Sequence, residues 1–208
     1  MLAGAVALSL STLLVQAQAP ALKTPAPSPS QTIKQAFALG DLTVEYSRPS
    51  VKKRVVFGEL VPFGKVWRTG ANSATTITFG DDVTIGDTKI KAGKYGLLTI
   101  PGEKEWTIII SKSTSTTSPA DYKQDEDIAR VAAKPMMMKD KIETFTAQFS
   151  NVKPNTCDLQ LMWENTAVAL PISVDVETAV MKQIDQLITR TTNPISMLPC
   201  ITWTTGKT

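Results

Sequence analysis

VTIGDTKIKAGKYGLLTIPGEKEWTIIIS, residues 83–111, is the stretch of sequence that decides the fold class. It contains two pairs of short runs that are rich in β-branched and aromatic residues, and a turn signal separates the members of each pair. Gly86–Asp87 is a two-residue hairpin signal in which glycine supplies the positive φ, and Pro101–Glu105 divides the second pair. The four predicted strands are Val83–Ile85, Thr88–Ile90, Tyr95–Ile100 and Trp106–Ser111.

The same period of two continues on both sides of this stretch, with turn residues at short intervals and no interleaved helical pattern. Eight or nine short strands of this kind predict a mainly β protein, an antiparallel β-sandwich that is jelly-roll-like. Further candidates for these strands are Leu42–Tyr46, Ala74–Phe79, Ile128–Lys134, Ile142–Phe149, Leu159–Glu164 and Ala167–Val174.

One helical pattern follows the last strand. Apolar residues at helical spacing predict a single C-terminal amphipathic helix that packs on or beside the sandwich. Asp175 is the expected N-cap, and Arg190 suits the C-terminal end. The apolar face comprises Val176, Val180, Ile184, Leu187 and Ile188.

The composition closes off much of conventional enzyme chemistry. The 208 residues include no histidine, which excludes a Ser-His-Asp triad, a Cys-His dyad and a His-ligated zinc site. We therefore expect no cofactor and no metal. Lys and Arg number 22 against 19 Asp and Glu, without a long basic run, so the charge pattern gives nucleic-acid binding little support.

The N-terminal part of the chain has the pattern of an export signal. Residues 1–15 carry no charge, and small residues follow, with a cleavage site predicted after Ala17. We expect a signal peptide at 1–17, a Pro/Ala/Ser-rich linker at 18–31, the sandwich with its helix at 32–190, and an irregular tail at 191–208. The protein is then exported, periplasmic or extracellular, with no membrane span in its mature form.

Residues 48–72 run RPSVKKRVVFGELVPFGKVWRTGAN and are followed by SATTITF. Together they resemble a bacterial family catalogued as domain of unknown function 2911. Three later stretches carry the same resemblance: KAGKYGLLTIPGEKEWTIII, ADYKQDEDIARV and LMWENTAVALPI. It extends over roughly residues 32–190 and implies an exported, β-rich protein without an assigned reaction. Ser73 departs from the family pattern, in which a Glu is expected after Gly-Ala-Asn.

The densest polar and aromatic cluster lies within the same stretch and is the candidate ligand-binding site. An aromatic ring can cover the apolar face of a sugar, while Arg, Asn and Glu hydrogen-bond hydroxyl groups or anions. In the alternative interpretation, Arg68 and Glu59 form a structural ion pair and Trp67 belongs to the core. The candidate residues are Arg48, Glu59, Lys65, Trp67, Arg68 and Asn72.

Three functional interpretations remain open, and the first is favoured. The first is a non-catalytic module that binds a glycan, a small anionic ligand or another envelope component. The second is a structural or assembly protein of the envelope, with the helix at 176–188 as the surface for a protein partner. The third is a His-free hydrolase that uses Glu59 or Glu164. Cys157 and Cys200 are a candidate disulfide in an oxidising compartment.

Overall fold

The computed structural model describes residues 24–192 and contains two antiparallel β-sheets followed by one helix. The predicted signal peptide, the first part of the linker, Cys200 and the tail from residue 193 lie outside the described residues. The elements are β1 (Ser30–Phe37), β2 (Gly40–Ser47), β3 (Thr76–Phe79), β4 (Val83–Ile85), β5 (Thr88–Ile90), β6 (Gly93–Ile100), β7 (Trp106–Ser111), β8 (Asp127–Ala133), β9 (Met136–Ser150), β10 (Thr156–Ser173) and α1 (Val176–Thr192).

The larger sheet has six strands in the order β1-β2-β3-β6-β7-β8, and every neighbouring pair is antiparallel. β1 pairs with β2 along its whole length, from Ser30 opposite Ser47 to Phe37 opposite Gly40. β1 was not predicted, because it alternates weakly and buries only Phe37 fully. It begins at Ser30, two residues inside the stretch that was assigned to the linker.

The smaller sheet has four strands in the order β5-β4-β10-β9. β10 is one long strand where the sequence predicted two, because bulges at Met162/Glu164 and Glu164/Thr166 absorb the irregularity without ending the strand. At this point Glu164 adopts a φ of 55°, the left-handed region that non-glycine residues rarely occupy. The sheet's long β9–β10 pair forms the surface against which the six-stranded sheet packs.

The core lies between the two sheets and confirms the predicted fold class. Alternate residues of each strand point inward, as the period of two predicts. Within residues 24–192, ten strands form rather than eight or nine, arranged as a sandwich with one C-terminal helix. Fully buried side chains from the two sheets include Leu42, Ile77, Leu97, Ile108, Phe145, Leu161 and Trp163.

Helix α1 begins where it was predicted, and the carboxylate of Asp175 accepts a hydrogen bond from the amide of Thr178 at 3.1 Å, as an N-cap does. Its packing differs from the expectation. Val176 packs against the core, whereas side chains 180–189 are exposed, among them Ile184. No helix within residues 24–192 is long and apolar enough to cross a membrane.

Candidate functional site

The connection from β2 to β3, residues 48–75, contacts strands of both sheets and closes one end of the sandwich. Its first part runs beside β9, where the amide of Phe145 donates to the carbonyl of Pro49 at 2.9 Å. Its later part pairs with β6, because Trp67 and Thr99 exchange two backbone hydrogen bonds of 2.7 and 3.0 Å. These main-chain bonds fix the connection although it contains no long strand of its own.

Two of the predicted site residues are used by the fold within this connection. The guanidinium of Arg48 donates to the carbonyl of Phe145 at 3.0 Å and to the hydroxyl of Thr146 at 2.8 Å, which ties the connection to β9. Asn72 adopts a φ of 57° and its side-chain amide donates to the carbonyl of Ser28 at 3.0 Å. Asn tolerates the left-handed region, so it suits this turn.

Trp67 belongs to a cluster of aromatic rings at this end of the core. Its ring stacks on Trp163 with centroids 5.7 Å apart and an interplanar angle of 17°, and its indole N–H donates to the carbonyl of Gly70 at 3.1 Å. The other rings contact it edge-on. One face of Trp67 is therefore occupied by protein, as the structural interpretation anticipated. The rings around it are Phe57, Trp106, Phe145 and Trp163.

A pocket of about 390 Å³ lies beside Trp67 and is lined mainly by residues of the connection. A volume of this size suits a small ligand. Most of the wall is apolar, and two cationic side chains, Lys65 and Arg68, complete it. Sequence reasoning identified three of the lining residues, but not Pro119, which comes from the connection between β7 and β8. The apolar lining residues are Leu60, Val61, Pro62, Val66, Trp67 and Pro119.

The two cations of the pocket have few protein partners. Arg68 donates one hydrogen bond, from Nη1 to the carbonyl of Asn72 at 2.9 Å. Neither Arg68 nor Lys65 forms an ion pair with any carboxylate of residues 24–192. The alternative Arg68–Glu59 ion pair is therefore not formed in the described chain. The guanidinium keeps donors that can reach an anion.

The carboxylates proposed for hydrolysis do not line this pocket. Glu59 is exposed on the connection. Glu164 lies in the β10 bulge, where its carboxylate pairs with the ammonium of Lys141 at 3.3 Å. A glycosidase needs two carboxyl groups facing each other across a cleft, and the pocket wall contains none.

A second cavity, of about 520 Å³, lies between the β4–β5 hairpin and the start of α1. Three carboxylates (Asp81, Asp82 and Asp175) and three ammonium groups (Lys89, Lys91 and Lys182) line it. The carboxylate of Asp82 pairs with the ammonium of Lys91 at 2.7 Å and accepts from the amide of Ala92 at 2.9 Å. The hydrogen bond from Lys91 lowers the pKa of Asp82, and that from Ala92 lowers it further. Acidic and basic groups are equal in number here, so this cavity lacks the excess of positive charge that lines the pocket beside Trp67.

The connection that supplies Pro119 continues into an ordered polar cluster. The hydroxyl of Tyr122 donates to Asp127 at 2.5 Å, and Arg130 pairs with the same carboxylate at 2.6 Å. Burial raises the pKa of Tyr122 to about 12, and the hydrogen bond to Asp127 adds to the shift. No group of three or more metal-ligating side chains occurs in the part of the chain that the structure describes.

Cys157, one half of the candidate disulfide, is buried at the start of β10. Its side chain exposes 1% of its surface, and the thiol donates weakly to the carbonyl of Ser150 at 3.7 Å. Burial raises the pKa of the thiol, as does the neighbouring Asp158. The pairing with Cys200 stays a prediction, since Cys200 lies outside the described residues.

Fold and site together define an antiparallel β-sandwich with a cationic, apolar-walled pocket beside the connection that closes one end. The chain belongs to the family described as protein of unknown function (DUF2911), whose model matches residues 28–172. The match includes all ten strands except the last residue of β10, and every lining residue of the pocket. No curated protein and no solved structure matches the chain.

Proposed function

We propose that the protein is a non-catalytic binding module whose pocket beside Trp67 holds a small anionic ligand with an apolar body. One observation carries this proposal: Lys65 and Arg68 stand at an apolar wall without a carboxylate partner among the described residues. A cation beside an apolar wall can bind the charged group of a ligand while the wall contacts the apolar part of the same ligand.

The packing of Trp67 narrows the chemistry of the ligand. A neutral sugar is held mainly by a free aromatic face, and one face of Trp67 is covered by Trp163. We therefore expect the charge of the ligand to contribute more to its affinity than stacking on Trp67 does. Among glycans we favour those with a carboxylate, such as a uronic acid, as the component that the pocket recognises.

A thermal-shift comparison of glucuronate with glucose tests the proposal, because the two rings differ chiefly in the carboxylate. At a hundred times its dissociation constant a ligand stabilises the folded state by about 2.7 kcal/mol, which raises the midpoint by roughly 8 °C for a domain of this size. We expect glucuronate and short carboxylates to shift the midpoint and glucose to leave it unchanged.

Matched variants assign the site. Arg68→Gln and Lys65→Gln each remove one charge-assisted hydrogen bond, so affinity should fall by roughly 10- to 100-fold. Lys139→Gln removes an exposed charge on β9 and should bind as the unsubstituted protein does. Equal binding by all three variants, or equal shifts with glucose and glucuronate, would contradict the proposal.

Export is part of the same proposal, supported by the uncharged apolar segment at residues 1–15. We expect the mature protein to begin at Gln18, which N-terminal sequencing of protein recovered from an exporting host would establish. A mature chain that retains residues 1–17 would contradict cleavage at Ala17.

An assembly role through α1 is the second candidate, and the exposure of Val180, Met181 and Ile184 favours it. Sedimentation of the protein over a range of concentrations distinguishes the two roles. Association that Ile184→Glu abolishes would support assembly, whereas a monomer at all concentrations would oppose self-assembly through this face.

A further inference from the structure

The connection that supports the pocket also presents apolar side chains to solvent. Val55, Leu60 and Phe63 expose 51%, 41% and 38% of their surface. They lie in one short segment, residues 52–65, which we call the basic-apolar loop. Single exposed apolar residues are common, but three within nine residues concentrate apolar surface in one segment, which is a feature of interaction surfaces.

The backbone beneath these side chains is held firmly. Val56 and Val61 expose 0% and 5% of their surface, and the amide of Val61 donates to the carbonyl of Val56 at 2.8 Å. The amide of Leu60 donates to the carbonyl of Val55 at 3.3 Å. Anchored in this way, the exposed side chains cannot collapse onto the core without breaking the loop.

A positively charged turn precedes the apolar side chains. Lys52 and Lys53 are exposed and adopt φ values of 49° and 60°. In this left-handed region the conformational energy of a lysine is higher than that of Asn or Gly. Neither ammonium pairs with a carboxylate in residues 24–192. The carboxylate of Glu143 accepts a hydrogen bond from the Lys52 amide at 2.9 Å and so holds the turn.

The loop as a whole carries a net positive charge. The loop contains four basic residues and one acidic residue, Glu59. One further carboxylate, that of Glu143, lies close to it. The guanidinium of Arg54 donates to the carbonyls of Val51 and Ser50 at 3.0 and 2.7 Å, so it also braces the turn. The four basic residues are Lys52, Lys53, Arg54 and Lys65.

We propose that the basic-apolar loop docks the protein on the surface of a membrane that contains anionic lipid. Such a surface accepts both features of the loop: its headgroups attract Lys and Arg, and its outer acyl region takes up exposed apolar side chains. The charge of the loop is complementary to acidic headgroups. Leu60 and Lys65 also line the pocket, whereas Lys52, Lys53, Val55 and Phe63 do not. The proposed surface therefore overlaps the pocket at one side and extends beyond it.

Vesicle co-sedimentation tests the proposal, with vesicles of phosphatidylglycerol mixed into phosphatidylcholine compared with phosphatidylcholine alone. We expect binding to the anionic vesicles only, weakening as sodium chloride is raised. Each basic residue near such a surface contributes about fivefold in affinity, so Lys52→Asn with Lys53→Asn should weaken binding roughly 25-fold. Asn suits the positive φ at both positions, which protects the fold.

Further variants separate the two features. Phe63→Ser should weaken binding by about fivefold with unchanged salt dependence, since it removes apolar contact and no charge. Lys134→Gln with Lys139→Gln removes the same number of exposed charges from another surface and should leave vesicle binding unchanged. Near-ultraviolet circular dichroism checks that each variant is folded.

Three results would overturn the proposal. Equal binding to neutral and anionic vesicles would show that charge does not contribute to docking. A Lys52/Lys53 variant whose vesicle affinity is within twofold of that of the unsubstituted protein would show that the turn does not contribute. Binding to soluble polyglutamate with none to vesicles would indicate an acidic protein instead. Loss of vesicle binding by the Lys52/Lys53 variant, with an intact response to glucuronate, would confirm that the turn acts on membranes independently of the pocket.

Discussion

Replacing Trp67 by alanine should destabilise the fold substantially, although the sequence also makes Trp67 a candidate ligand-binding residue. The change removes a ring that contacts four other aromatic rings, including the stack on Trp163 at 5.7 Å. It also removes the indole hydrogen bond to Gly70. Removing a buried Trp costs about 3–5 kcal/mol, and we take the lower part of this range because Trp67 is only partly buried.

Urea unfolding measures this loss directly. With a slope of about 2 kcal/mol per molar urea for a domain of this size, a loss of roughly 3 kcal/mol lowers the midpoint by about 1.5 M. Trp67→Phe keeps a ring but lacks the N–H donor, so it should lose about 1–2 kcal/mol. Arg68→Gln is the neighbouring control and should stay within about 0.5 kcal/mol, since its side chain is not part of the core.

The reasoning fails if Trp67→Ala unfolds within about 0.3 M urea of the unsubstituted protein at an unchanged slope. Trp67 would then contribute little to the core, and the interpretation of its ring as a ligand platform would regain support. A changed slope would instead indicate that the variant alters the compactness of the native or unfolded state.

Two further predictions concern the titratable side chains of Tyr122, which is partly buried, and Cys157, which is buried. Because the pKa of Tyr122 is raised from 10.0 to about 12, the unfolded state ionises first, and stability should fall as pH rises from about 10 to about 12. Stability measured across this range should fall less for Tyr122→Phe; an equal fall would contradict the assignment. Cys157 should resist a neutral thiol reagent until the protein unfolds. A Cys157–Cys200 bridge would appear as a linked peptide under non-reducing conditions.

Local turn chemistry explains which strands could be predicted. The β4–β5 hairpin was predicted because Gly86, at a φ of 57°, occupies a turn conformation that glycine adopts at little cost. β1 lacks such a signal and lies at a sheet edge, where one face remains solvated. The break expected near Glu164 is a bulge, since hydrogen bonds to β9 on either side hold the strand together. No short-range pattern distinguishes a bulge from a strand end.

The site could be predicted in part because three of its residues are close in sequence. Lys65, Trp67 and Arg68 reach one pocket, whereas Arg48 and Asn72 make hydrogen bonds that shape the connection. Both kinds of role use the same residue types, so composition cannot separate them. The remaining wall, including Pro119, arises from a tertiary contact between two connections distant in sequence.

In the connection that closes the sandwich, the side chains that hold the fold differ from those proposed for recognition, and this determines how its function should be tested. A Trp67 variant that loses ligand binding is ambiguous, because the same change removes core packing. Arg68→Gln changes charge at the pocket and leaves the aromatic cluster in place. The Lys52 and Lys53 substitutions change charge on the basic-apolar loop at positions that do not line the pocket. Charge, rather than the aromatic ring, is therefore the variable that separates recognition from folding in this protein.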